Sequence, residues 1–362
     1  MTLKTQGFIL IDVDVVALNN AGKSSSSNFD NATATKTIKK NGLTYPYVSG
    51  QAWRYWWREA LRNNYGWSVS PITRENKVAY TDANPFKFDD DDVFGYMKAT
   101  KDAKIDENGA PVVDKKGKPV LENATVTRTS PLKNSAIVAV GSTRTEEHWS
   151  TMSRQDGDPV PYSKQEYSAI MKGMFSLDLG QVGTFSTINR TGFKNLTAKQ
   201  REEFLANGSI EVTDTITGHA LVQLEKSVRL KRSKDTIAAL KTISGGAMQT
   251  NNLADVTPKF IVLATTTSGN HPFSHVAKTE VADRTRIEAV SLNVDGLKEV
   301  LKEYKDQIVG TVFVGRRSGF MDQHHAELQE LLTLGDEYPT VRYVSVGDAI
   351  DGYCKQLDDQ FV

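Results

Sequence analysis

Three tryptophans and three arginines share one short stretch, and their spacing leaves it little choice of fold. The stretch reads Thr44-Tyr45-Pro46-Tyr47-Val48-Ser49-Gly50-Gln51-Ala52-Trp53-Arg54-Tyr55-Trp56-Trp57-Arg58-Glu59-Ala60-Leu61-Arg62. Pro46 keeps Tyr45 extended. Ser49 is placed to accept from the free amides of a first helical turn. At about 100° per residue, Trp53, Trp56, Trp57 and Ala60 fall on one stripe, and Gln51, Arg54, Arg58 and Arg62 fall opposite. The apolar stripe is the core face. The other stripe lines up guanidiniums beside a helix N-terminus, whose bare amides already favour an anion. Glu59 is the sole acid among those arginines, so intrahelical pairing is thin. The pattern suits a phosphate-binding helix or a solvated basic face.

With 362 residues the chain can bury a sizeable core in one to three domains. A hydrophobic fraction of 39% and a charged fraction of 24% are ordinary for a globular protein. Basic and acidic side chains balance at 44 each. That argues against a free-standing, non-specific nucleic-acid binder and leaves room for a local basic groove. Cys354 is the only cysteine, so no intrachain disulfide is expected and a reducing, cytoplasmic setting suits the chain. Neither a long apolar run nor a signal peptide is read, so no membrane partner is expected. His271 and His275 are spaced i, i+4, but Pro272 works against the helix that would converge them. His324 and His325 are adjacent and would diverge on a helix. No zinc site, Walker or dinucleotide motif is read, so no metal or cofactor is expected. No catalytic triad can be drawn from spacing alone.

Along the chain, Phe8–Val16 alternates as a first strand, with Ile11, Val13 and Val15 on one face. Asp12 and Asp14 take the other face, which is solvated or holds a carboxylate pair. Asn20 and Lys23 follow near the helix cap, where turn chemistry would also explain them. A polar loop is expected from Ser24 to Ile38. Residues 66–124 read as an insertion, with Asp89-Asp90-Asp91-Asp92 as a solvated helix N-terminus and turns at Asn108-Gly109 and Lys116-Gly117. Strands are expected at Ala136–Val140 and Phe175–Leu179, a loop over Ser142–Pro161, and a short helix over Leu196–Phe204. A second basic element, Lys226–Lys234, leads into a helix and then Thr242-Ile243-Ser244-Gly245-Gly246-Ala247-Met248-Gln249-Thr250. Its paired glycines allow close backbone approach to a polyanion, and Gln249 and Thr250 supply neutral donors. A flexible hairpin with Met248 packed on its own strands is the alternative. Lys259–Ala264, Arg286–Val294, Ile308–Gly315 and Val341–Val346 read as strands, with helices over Leu297–Gln307, near Asp322–Leu332 and from Gly347. Arg316-Arg317 reads as an exposed basic turn.

The order Ser49-x-Gln51-x-x-Arg54-x-x-x-Arg58 on the first helix, after a strand that ends in Asn, resembles the family-seven CRISPR-associated (Cas) backbone subunit of type I Cascade. The run Tyr45–Arg58 resembles the type I-B DevR branch in particular, as do the segments around Thr151–Pro161 and Phe175–Phe185. The element order matches an α+β, RRM/ferredoxin-like palm. The resemblance implies a palm at 1–65, a finger insertion at 66–124, palm again at 125–241, a thumb loop at 242–258 and palm completion at 259–362. It implies a non-catalytic subunit that polymerises head to tail along a CRISPR guide RNA and presents it to a target DNA strand, among other Cascade subunits. The RNA contacts expected are Asn20, Lys23, Ser49, Gln51, Arg54, Arg58, Arg62, Gly245, Gly246, Met248, Gln249 and Thr250. A rival reading is an RRM-type endoribonuclease, as in type III relatives, with Asp12, Asp14 or Asp30 as its acid. An unrelated α/β protein with a decorative arginine helix is a third.

Overall fold

The structure is a computed structural model, and it describes residues 2–23, 31–75, 78–99, 101–103, 112–114, 116–123, 125–154, 156–214, 217–282 and 287–361. Asp30 and the Asn108-Gly109 turn lie outside the described residues. The chain is a mixed α+β fold that divides into two compact units. The first comprises Met1–Tyr65, Lys133–Leu177 and Lys234–Gln360. The second comprises Gly66–Leu132, Asp178–Ser233 and Phe361–Val362, so it takes in a later segment as well as the expected insertion.

The first unit is organised by β1 (Lys4–Val16), β2 (Thr37–Lys40), β3 (Leu43–Val48), α1 (Gly50–Tyr65), β4 (Ile137–Ala139) and β5 (Val160–Asp178). They are followed by the end of α2 (Lys226–Ala238, of which Lys234–Ala238 belong to this unit), β6 (Phe260–Thr266), α3 (Val294–Glu303), β7 (Ile308–Arg316), β8 (Val341–Val344) and α4 (Val346–Gln360). The strands run in the order β8-β7-β6-β1-β5-β4-β3-β2. β1 pairs antiparallel with β6, from Lys4 opposite Thr266 to Leu10 opposite Phe260. Phe8, Ile9, Leu10 and Ile11 are all buried because both faces of this central strand are covered. Gly7 has no Cβ, and an added one would sit 2.1 Å from the Phe175 ring on the α1 side. On the other side Phe8, Leu10, Phe260 and Val262 pack with Leu297 and Leu301 of α3.

Several expectations are corrected. Val15 is 52% exposed, because its φ of +49° interrupts the alternation and turns Val16 and Ala17 inward. Within Ser24–Ile38, residues Ala32–Thr35 form a strand and 24–30 lie outside the described residues. The Ser142–Pro161 loop is largely a hairpin, with Glu146–Met152 antiparallel to the start of β5. Arg316 is buried and donates to Tyr343 Oη at 2.7 Å and to Asp322, not exposed in a turn.

In the second unit, Ala220–Gln223 pairs on either side with Thr184–Ser186 and Ile210–Thr213. The helix Ala198–Ala206 starts at Thr197, whose side chain and Gln200 form a reciprocal cap. The aspartate run is not solvated. Asp90, Asp91 and Asp92 are buried in the helix Asp89–Phe94. Asp92 pairs with Arg128 and, at 2.8 Å, with Arg232, and also accepts from the Gly183 amide at 2.9 Å. Arg232 reaches Asp89 at 2.8 Å, and Arg229 donates to the Val182 carbonyl at 3.0 Å. The arginines of the second basic element are therefore spent on internal carboxylates and carbonyls, which rules them out as a surface cation row.

Candidate nucleic-acid interface

The helix α1 is built as its spacing requires. Trp53, Trp56, Trp57, Ala60 and Leu61 are buried. Trp53 stacks on Trp57 with centroids 5.3 Å apart, and Phe175 meets Trp57 edge-on at 5.1 Å. The Trp57 indole donates to the Thr236 carbonyl at 2.7 Å, so its one polar atom is satisfied inside the core. Gly173 leaves room for the Trp53 ring, which an added Cβ would meet at 3.0 Å. This anchor fixes the rotation of the helix and hence the direction of its opposite stripe.

Ser49 caps the helix. Its hydroxyl accepts from Ala52 N at 3.3 Å, and its carbonyl accepts from Trp53 N at 3.1 Å. Gln51 is exposed one position into the helix. Arg54 is half-buried and donates through Nη1 to Asn134 Oδ1 at 3.0 Å. Burial, and then the neighbouring Arg58 charge, pull the Arg54 pKa down to about 10. A polyanion would relieve that repulsion, so two guanidiniums held close together favour phosphate more than a lone one would. Arg58 is half-buried and the next along the stripe. Arg62 is exposed and pairs with Glu59 at 2.6 Å, so the lone acid of the helix is used at its far end.

Two asparagines that sequence reasoning passed over complete the frame. Asn134 donates to the Gly50 carbonyl at 3.1 Å while accepting from Arg54, which ties the first helical turn to the guanidinium. Asn19 accepts from Ser49 N at 3.0 Å through its side chain and from Lys36 N at 2.8 Å through its carbonyl. The expected Asn20 lies one residue on, in the strand Asn20–Lys23, with its Oδ1 buried. Lys23 is exposed at the end of that strand. No spacing rule separates Asn19 from Asn20. The only signal was that the strand ends in asparagine.

The glycine-rich loop is brought to the same place from far along the chain. Ala247 N donates to the Leu18 carbonyl at 3.0 Å. A Cβ on Gly245 would stand 2.2 Å from the Trp56 ring, and one on Gly246 would stand 2.8 Å from the Leu18 side chain. The two glycines therefore admit close packing on α1 and on the end of β1, which accounts for them without a polyanion. Gln249 turns inward, donating to the Gly245 carbonyl and, at 3.2 Å, to that of Ala254. Met248 and Leu253 flank the helical turn Gln249–Asn252 with left-handed φ values of +56° and +46°. Met248 is half-buried, Thr250 is exposed, and Leu253 is 87% exposed, so Leu253 presents the larger apolar surface. Ser49, Gln51, Arg54, Arg58 and the 245–250 loop thus share one region, organised by Leu18, Asn19 and Trp56.

A family model described as the CRISPR-associated negative auto-regulator DevR/Csa2 matches residues 9–286, more than three quarters of the chain. The chain belongs to the DevR/Csa2 family. The match spans α1, Asn134 and the glycine-rich loop, so every residue placed in this region lies inside the family's extent. Comparison with curated proteins gave no match. Solved structures similar to this DevR/Csa2 member include a chain of a "CRISPR RNA-guided surveillance complex, pre-nicking", at 10% identity and a TM-score of 0.50, covering 98% of this chain and 100% of that one. A chain of a "CRISPR RNA-guided surveillance complex" aligns at 9% identity with a TM-score of 0.48, covering 98% and 99%. Among the described residues no helix is long and apolar enough to cross a membrane. Asp12 and Asp14 are both exposed on β1, and no group of three metal-ligating side chains occurs among the described residues.

Proposed function

We propose that this chain is the guide-RNA-binding backbone subunit of a type I-B Cascade complex, polymerising along the RNA and presenting it to a target DNA strand without cleaving it. The observation that carries the reading is the capped, tryptophan-anchored helix whose Arg54 is braced on Asn134 next to Arg58. Phosphates bind such a row through charge and fixed geometry, with no base-edge contact, which suits a subunit that must accept any guide sequence. Membership of a CRISPR-associated family supports the same reading. The palm reading is supported by β1, α1, β4, β5, α2 and β6 taken in chain order, with β2 and β3 inserted before α1: β1 and β5, the first and third strands of that set, lie centrally in the order β6-β1-β5-β4. On this reading the second unit contains the fingers, and residues 242–258 form the thumb loop. Net neutrality fits a cytoplasmic protein that fills its basic groove with RNA and packs the rest against copies of itself and other Cascade subunits.

The test is to co-express the chain with a repeat-spacer RNA and partner subunits, then extract and quantify RNA from the purified assembly. Arg54→Ala with Arg58→Ala lowers RNA per subunit at least about tenfold and leaves the far-ultraviolet spectrum of the chain unchanged. An undiminished RNA yield from the folded double variant counts against the proposal.

A further inference from the structure

No catalytic triad follows from spacing, but the fold brings the parts of one together outside the arginine helix. The strands Ala277–Ala282 and Ile287–Leu292 pair as an antiparallel ribbon whose two faces differ. Leu292 is buried in the core, Val290 packs against that core, and Glu288 accepts from the Ser142 amide at 2.5 Å. Ala289 and Ser291 point the other way. Ala289 is exposed and Ser291 is half-buried. Lys278, directly opposite Ser291, and Glu280, opposite Ala289, are both exposed on the same outer face.

The segment from Phe320 to Glu330 lies against this ribbon. Phe320, Met321 and Leu328 share the core cluster of Leu292, which fixes the turn they enclose. The two adjacent histidines of that turn diverge. His325 Nδ1 meets Tyr343 Oη at 3.0 Å. His324 is buried, with Nε2 2.8 Å from Ser291 Oγ and Nδ1 3.1 Å from Glu327 Oε2. A carboxylate oxygen only accepts, so in the neutral ring Nδ1 carries the proton toward Glu327. Nε2 is then left to accept from the Ser291 hydroxyl. The Leu292 carbonyl, at 3.4 Å, is the longer alternative for that proton. A serine bonded to the basic nitrogen of an imidazole that a carboxylate orients from behind is an activated nucleophile. The Lys278 ammonium is held by Glu280 at 3.1 Å in a pair with both members about half exposed. Such pairs are worth little, so the ammonium can turn to negative charge that develops beside Ser291. The open ribbon face admits a small acyl group and gives a long chain no enclosure.

We propose that Ser291, His324 and Glu327 form a serine-nucleophile centre that hydrolyses small activated carboxylic esters, a function separate from nucleic-acid binding. Ser291 Oγ attacks the ester carbonyl carbon as His324 Nε2 takes its proton. The bond from that carbon to the leaving oxygen breaks, and the leaving oxygen takes the proton from His324. Water then attacks the acyl-serine and gives a proton to His324. The carboxylic acid departs as Ser291 Oγ recovers that proton. Lys278 meets the oxyanion in both halves. Glu327 is a positioning residue, since it acts through His324.

The experiment treats the purified full chain with a fluorophosphonate, which forms an Oγ–phosphorus bond with loss of fluoride, and maps the product by peptide mass spectrometry. Label on Ser291 is expected. Ser291→Ala, on the outer face, abolishes that label and the hydrolysis of p-nitrophenyl acetate at an unchanged melting temperature. His324→Gln slows labelling at least about a hundredfold. Lys278→Ala slows ester hydrolysis roughly tenfold, less than an enclosed oxyanion donor would give. Glu327 is about half exposed and screened by solvent. Glu327→Gln therefore slows labelling only about tenfold, Glu327→Asp recovers part of the rate, and both variants melt with the wild type. A chain that takes no label at Ser291, or takes it equally fast with His324→Gln, overturns the proposal. Ser291 is then an ordinary hydrogen-bonded hydroxyl. Those results leave the guide-binding reading standing, which fails separately if the Arg54 and Arg58 double variant retains its RNA.

Discussion

Gly245 separates two accounts of the glycine-rich loop, and Gly245→Ala tells them apart. The added Cβ would lie 2.2–2.3 Å from three atoms of the Trp56 ring, where carbon atoms ordinarily rest about 3.5–4.0 Å apart. Loop or ring must therefore retreat by more than about 1 Å. Trp56 is 6% exposed and lies in the core face of α1, so the loop moves. Such overpacking costs about 1–3 kcal/mol, and moving the loop strains the Ala247–Leu18 hydrogen bond, worth roughly 1 kcal/mol more. The total of about 2–4 kcal/mol corresponds to a melting temperature lower by roughly 5–15 °C for a domain of this size. The assay is thermal unfolding of RNA-free protein, followed by calorimetry. If the glycine instead served only to let a polyanion approach, the RNA-free variant would melt with the wild type and lose stability only relative to the RNA-bound form. Coincident melting curves without RNA refute the packing argument.

Asp92→Ala leaves the Arg128 and Arg232 guanidiniums buried without their shared carboxylate. The cost is roughly 3–5 kcal/mol, read as faster amide exchange across the second unit, and Arg128→Met with Arg232→Met in the same chain recovers part of it. Unaltered exchange in Asp92→Ala goes against the hub. His271 Nε2 donates to the Gly7 carbonyl at 2.9 Å, and burial holds its pKa below the ordinary value. The folded ring is therefore neutral where the unfolded one binds a proton, so stability is full above the unfolded value of about 6.5 and falls as pH drops through that window. His271→Gln flattens the melting temperature between pH 7 and 5, and an equally steep profile in the variant excludes His271 as the source.

The parts of the fold that were legible had strong local periodicity. The tryptophan and arginine stripes of α1, the apolar β6 and the amphipathic α3 each follow from spacing within their own segments. Failures arose where partners are distant in the chain. Four adjacent aspartates read as solvated because Arg128 and Arg232 lie 36 and 140 residues from Asp92, and nothing local announces either. The hairpin Glu146–Met152 escaped notice because most of that strand is exposed on both faces, which leaves little apolar alternation to detect. The paired glycines were read as admitting a polyanion, and in the structure they pack on Trp56 and Leu18. Within the site, the helix cap and the arginine row were legible, whereas Asn134, the brace of Arg54, comes from 80 residues away with no motif around it.

The position of Asn134 has a further consequence. The chain leaves the first unit at Tyr65 and returns at Lys133, and the next residue fastens directly onto the opening turn of α1. The Asn134 brace of Arg54 therefore belongs to the same unit as α1. That hydrogen bond does not depend on the length of residues 66–132, provided the asparagine after the return is kept.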